Sequence, residues 1–89
     1  MLLPIYEKRF AKEVQKAQKR GKDMQKLKDI METLIAQKVL PAKNRNHKLK
    51  GDFVNYWECH IEPDWLLIYK LTTKEIIFAR TGTHVDLFE

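Results

Sequence analysis

The stretch Phe53-Val54-Asn55-Tyr56-Trp57-Glu58-Cys59-His60-Ile61-Glu62-Pro63-Asp64-Trp65-Leu66-Leu67-Ile68-Tyr69-Lys70-Leu71-Thr72-Thr73-Lys74-Glu75-Ile76-Ile77-Phe78-Ala79-Arg80-Thr81 reads as three β-strands joined by two tight connections. From Phe53 to Ile61 the residues alternate: Phe53, Asn55, Trp57, Cys59 and Ile61 share one face, and Val54, Tyr56, Glu58 and His60 the other. Glu62-Pro63-Asp64 is a turn with proline at a favoured position. Trp65 to Leu71 is a near-continuous apolar run, as expected for a central strand covered on both sides. Thr72-Thr73-Lys74 makes the second connection, and Glu75 to Thr81 is the next strand. Gly82 interrupts it and leaves Thr83 to Glu89 as a tail.

Upstream the period changes. Leu2 to Tyr6 predicts a short strand that Pro4 confines to an edge. From Glu7 to Arg20, Phe10, Ala11, Val14 and Ala17 fall at helical spacing, and Gly21 supplies a stop. A second helix from Asp23 to Gln37, with Asp23 as N-cap, lines up Met24, Leu27, Ile30, Met31, Leu34 and Ile35. Pro41 ends the helical half, and 42–46 is a basic connector. The expected fold is a single α+β domain over residues 1–89. Its N-terminal strand and two-helix hairpin pack on one face of a mainly antiparallel four-stranded sheet.

At 89 residues the chain has material for one hydrophobic core, and 44% apolar content fits a folded domain. A lone cysteine, Cys59, allows no intramolecular disulfide and reads as buried and structural in a reducing cytoplasm. No secretion signal and no apolar run of membrane-spanning length is seen, so no membrane association is expected. Charge is unevenly divided: residues 1–50 carry 14 Lys+Arg against 5 Asp+Glu (+9), and residues 51–89 carry 3 against 7 (−4), for a net +5. Such a field suits a polyanion or an acidic protein, or else a lysine-rich solvated helix surface.

All three histidines, His47, His60 and His84, fall in the second half beside Asp64 and Arg80. In-line cleavage of RNA needs groups that move protons near neutral pH and a fixed cation for phosphate, which histidine and arginine supply. If Trp57 and Cys59 are core, His60 is displayed on the opposite face. Each residue also has a plainer reading: His47 as a surface residue, Asp64 as turn chemistry, Arg80 as an edge cation paired with a glutamate, and Trp57 and Trp65 as core. None of the histidine spacings matches a metal motif, so neither metal nor cofactor is expected.

His47-Lys48-Leu49-Lys50-Gly51, His60-Ile61-Glu62-Pro63-Asp64-Trp65-Leu66-Leu67-Ile68-Tyr69-Lys70 and Arg80-Thr81-Gly82-Thr83-His84 with Leu87-Phe88 resemble the RelE/YafQ group of bacterial toxin endoribonucleases. Lys16-Ala17-Gln18-Lys19-Arg20 and Lys22-Asp23-Met24 extend the likeness into the helices. The pairing of His-x-x-x-Asp with Arg-x-Gly-x-His is specific to the YafQ branch. The resemblance implies a toxin that enters the ribosomal A site and cuts mRNA there. It further implies a cognate antitoxin that blocks the toxin by covering the helices or displacing the tail, and operator DNA bound only through the antitoxin complex. Carried over, the active-site positions are His47, His60, Asp64, Trp65, Arg80, His84 and Phe88, with Lys48 and Lys50 as further substrate contacts. His84 would be the general acid, His60 or His47 with Asp64 the base side, and Arg80 the phosphate ligand. Lys12, Lys16, Lys19 and Arg20 would grip ribosomal RNA. Two rivals remain: a gyrase-poisoning toxin of the same fold, which lacks this histidine set, and a non-enzymatic RNA-binding module, which would not need it.

Overall fold

The computed structural model describes residues 1–88, with Asp52 by its backbone alone. Helix α1, Lys8–Lys19, buries Phe10 and Ala17 on its apolar stripe. It stops where the stop was expected. Gly21 adopts φ +81°, and the N–H groups of Gly21 and Lys22 return to the carbonyls of Gln18 and Ala17 at 3.1 Å each. This closes a Schellman cap. Two residues later the Asp23 side chain accepts from Gln25 N at 3.0 Å and starts α2, Met24–Ile35. Helix α2 buries Leu27, Ile30 and Leu34, and a second Schellman cap ends it with Gln37 at φ +59°.

The sheet has five strands, not the four expected. They are β1 Leu3–Tyr6, β2 His47–Lys48, β3 Tyr56–Glu62, β4 Trp65–Leu71 and β5 Glu75–Gly82, in the order β1-β5-β4-β3-β2. The additional strand, β2, is two residues of the connector paired with Glu58 and Trp57, too short to show any periodicity. β1 runs parallel to β5 and the other neighbours are antiparallel. Pro4 is on the edge strand as anticipated; the N–H groups of Leu3 and Glu7 bond to the carbonyls of Lys74 and Phe78, which leaves the proline at an outward alternate position where no N–H is needed. β3 begins later than the alternation suggested. Phe53 closes a turn of 3-10 helix, Gly51–Phe53, and Asn55 takes φ +77°, a left-handed conformation that a strand cannot continue through.

Two hydrophobic layers flank the sheet. The larger, under α1 and α2, includes Cys59, Ile61, Trp65, Leu67, Tyr69, Ile76 and Phe78, with Trp57 packed against it. Burial pushes the Cys59 thiol up to about 12, so it is inert packing. The opposite face is partly covered too, as the apolar run of β4 anticipated. Leu66, Ile68, Ala79 and Leu87 form a second, small core with Leu49 and Tyr56 against it. Leu87 belongs to a five-residue helix, α3, His84–Phe88, where a tail had been expected; Glu89 lies outside the described residues. Thr83 and Asp86 build this helix. Asp86 N donates to Thr83 Oγ1 at 3.1 Å and Thr83 N donates to Asp86 Oδ2 at 3.0 Å, a reciprocal capping box. Burial of an aliphatic side chain such as Leu87 contributes about 1.5–3 kcal/mol, enough to hold so short a helix on the sheet.

Candidate active site

Two irregularities in the strand register shape the end of the sheet. On β3, pairing passes from His60–Leu66 to Glu62–Trp65, so Ile61 is the additional residue. On β5, pairing passes from Phe78–Tyr69 to Arg80–Ile68, with Ala79 as the additional residue. A bulge of this kind puts an unpaired residue into one strand and changes which face the following side chains occupy. Arg80 therefore does not keep the parity of Ile76 and Phe78 that simple alternation assigns to it. It lies opposite Ile68, on the face away from the helices, which is also the face of His60.

Asp64, in the turn after β3, accepts from His84 N at 2.9 Å and faces His84 Nδ1 at 2.6 Å, both on Oδ1. The backbone bond from His84, and then its ring, hold the Asp64 carboxyl below the ordinary carboxylate range. Asp64 is thus ionised at neutral pH and accepts only, so His84 Nδ1 must donate to it. The free nitrogen is Nε2, available to carry or receive a proton. The His60 and His84 rings lie 5.8 Å apart between centroids. His60 Nδ1 is 3.3 Å from the Pro63 carbonyl, an acceptor, so Nδ1 is committed to the backbone.

Glu58 is a residue that the sequence reading passed over. Its Oε1 lies 3.4 Å from His60 Nε2 and 3.5 Å from His47 Nε2, and its side chain is 8% exposed. His47 Nδ1 is in turn 2.6 Å from the Arg45 carbonyl. Both imidazoles thus commit Nδ1 to a backbone carbonyl and aim Nε2 at one buried carboxylate, a place where a proton can be held. Buried Asn44 donates to the His60 carbonyl at 2.7 Å and steadies the strand from behind. The signal for Glu58 was legible, because it shares the face of His60 two residues away.

Arg80 is held by Glu13 of α1: Nε lies 2.9 and 3.1 Å from the two carboxylate oxygens and Nη2 lies 2.7 Å from Oε2. The plainer expectation, an edge cation paired with a glutamate, describes this geometry. β1 pairs with β5 only as far as Phe78, and Glu13 closes the edge beyond it by also accepting from Thr81 N at 3.3 Å.

Comparison with known proteins gives the family of the chain. Residues 3–89 match the model of the family described as bacterial toxin of type II toxin–antitoxin system, YafQ. The chain belongs to the YafQ toxin family. It is 51% identical over 84 residues to the mRNA interferase toxin YafQ of Escherichia coli strain K12, covering 93% of this chain and 91% of the relative. A crystal structure of YafQ from Escherichia coli superposes with a TM-score of 0.95 at 47% identity over the whole of both chains. YafQ in the Escherichia coli DinJ–YafQ toxin–antitoxin complex superposes with a TM-score of 0.92 at 48% identity, covering 99% of this chain and 98% of that one.

The YafQ-family positions do not all converge. His47, His60, Asp64 and His84 gather with Glu58 at one end of the open face. Phe88 is 43% exposed and stands edge-on to Phe53 with centroids 5.5 Å apart, leaving ring surface for a base. Trp65 is corrected from substrate contact to core: it is 1% exposed and its Nε1 donates to Thr81 Oγ1 at 3.0 Å, so neither ring face is free to stack. Lys48 lies over the Trp57 ring at 5.5 Å, on the opposite face from His47. Lys50 is exposed in the loop before Gly51–Phe53. On α1, Lys12 and Lys19 are exposed, whereas Lys16 and Arg20 reach Asp86 at 3.7 and 2.7 Å. Among the described residues, no group of three or more His, Cys, Asp or Glu is arranged to hold a metal ion, and no helix is long and apolar enough to cross a membrane.

Proposed function

We propose that this chain is an mRNA endoribonuclease, the toxin of a type II toxin–antitoxin pair, cutting message bound in the ribosomal A site. One observation carries the reading: an ionised Asp64 fixes His84 through Nδ1, leaving Nε2 directed outward across from a second imidazole, His60. In the reaction a 2′-oxygen attacks its own phosphorus and the bond from phosphorus to the 5′-oxygen breaks, leaving a 2′,3′-cyclic phosphate and a 5′-hydroxyl. His60 or His47, with Glu58 beside their Nε2 atoms, takes the 2′-hydroxyl proton. His84, charged and stabilised by Asp64, gives the Nε2 proton to the departing 5′-oxygen. Arg80 neutralises the phosphorane, where a fixed cation is worth more than one in bulk water. No step requires a cofactor.

The ribosome is the anionic partner suited to the exposed lysines of α1. The partner that silences the toxin is a cotranscribed acidic antitoxin; through it alone the pair would meet operator DNA. Support comes from the relative named mRNA interferase toxin and from the solved DinJ–YafQ complex. Mapping mRNA 5′ ends by primer extension after brief expression tests the proposal. New ends within translated codons, absent for His84→Ala, are expected; an unchanged pattern of ends in cells that arrest would favour a non-nucleolytic toxin instead.

A further inference from the structure

Glu13 is an unexpected acid to find beside a cation meant for phosphate. Its carboxylate takes the Nε and Nη2 edge of Arg80 in a bidentate grip, and the Asp86 carbonyl lies 3.4 Å from Nη2. Both partners are largely buried, at 12% and 16% side-chain exposure, so the pair is ordered and not a solvent-screened contact. Nη1 has no hydrogen-bond partner among the described residues, and no buried side-chain nitrogen or oxygen among them lacks a partner. Nη1 therefore reaches solvent. The same carboxylate accepts from Thr81 N at 3.3 Å, so the backbone carrying Arg80 is fixed together with its side chain. A cleft of about 240 Å³ adjoins the pair, lined by Arg9, Lys16, Arg20, Lys22 and Asp86 among others.

We propose that Glu13 is a positioning residue for the nuclease reaction: it clamps one edge of Arg80 so that Nη1 is presented to the scissile phosphate. This rests on the endoribonuclease reading above. A free arginine side chain carries about 2 kcal/mol of rotamer entropy, which would be lost at each turnover if no partner held the fork in advance. The cost of the clamp is a negative charge near the substrate. A distinctive split follows. Without that charge, RNA binding holds or tightens, while turnover falls because the phosphate ligand is no longer fixed.

The test is a double-mutant cycle with Glu13→Gln, Arg80→Ala and the combination, each checked for folding by circular dichroism. The assay is single-turnover cleavage of mRNA on programmed ribosomes. Glu13→Gln, nearly isosteric, should slow cleavage by roughly ten- to a hundredfold with half-saturation unchanged or lower. In the Arg80→Ala background it should have no further effect. Glu13→Asp, which keeps the charge on a shorter arm, should recover part of the rate if the clamp is what matters. Full activity in Glu13→Gln, or losses that multiply across the cycle, would overturn the role. Wild-type chain that never cuts would instead remove the nuclease reading beneath it, and is recognised before any variant is compared.

Discussion

At the scale of single residues, the site turns on which nitrogen of each imidazole is left free. Asp64 determines this for His84, and removing its charge should matter more than removing its shape. Asp64→Asn keeps an acceptor at the same place, yet it no longer stabilises an imidazolium. Cleavage should fall at neutral pH, where the Asp64 carboxylate is ionised. The sign follows from the lowered folded value of Asp64: its charge is complete above the ordinary carboxylate range, about pH 4, and is lost only below it. A folded variant that cleaves at the wild-type rate at neutral pH would contradict a role for the Asp64 charge. For His84→Ala the expected loss is about 10²- to 10⁴-fold, with folding intact because the ring is about half exposed. A growth-arrest assay paired with a melting curve decides it; a folded variant that arrests cells as well as wild type rules out His84 as the acid.

At the scale of elements, α3 is a small carrier for His84 and Phe88, and its attachment is open to test. A Cβ added at Gly82 would lie 2.9 Å from Asp86 Cβ and 3.0 Å from its Oδ2. Gly82→Ala should therefore push Asp86 out of the capping box and away from Arg20, costing about 1–3 kcal/mol as overpacking does, and should lower cleavage with it. Unchanged chemical denaturation would show that the neighbourhood yields. The second Schellman cap offers the opposite change: Gln37→Gly relieves a left-handed residue and should add about 0.5–1 kcal/mol, read as a higher urea midpoint at constant slope. How much of this was legible depended on distance along the chain. The parity of Cys59 and His60, the stop at Gly21 and the Asp23 cap are local and were read. Thr83-x-x-Asp86 is equally local and was missed as a helix start, and Glu58 was missed despite sharing the face of His60. The bulge at Ala79 leaves no mark, since no glycine or proline flags it. The Glu13–Arg80 clamp joins residues 67 apart, which no periodicity encodes.

At the scale of the whole molecule, the cationic half is more engaged than its composition suggested. Lys16 and Arg20 pair with Asp86, and Lys22 and Lys26 with Glu62. Asp86 is held well below the carboxylate range, first by Arg20 and then by Thr83 N, so its contribution to stability is present above pH 4 and fades only in strong acid. Replacing Lys12, Lys16 and Lys19 by Glu should weaken co-sedimentation with ribosomes and flatten its salt dependence; undiminished pelleting would make these lysines a solvated surface only. The two rims of the sheet bear on a different matter, the fate of a toxin at high concentration. One rim ends in a strand of two residues and the other carries Pro4 facing outward, so neither offers an unbroken row of donors for a neighbouring chain to extend. Leu3, Ile5 and Tyr6 are exposed on that second rim, where the proline withholds one donor from any neighbouring strand. Pro4→Val would restore the missing donor, and light scattering should then rise with concentration while the wild-type chain stays monomeric.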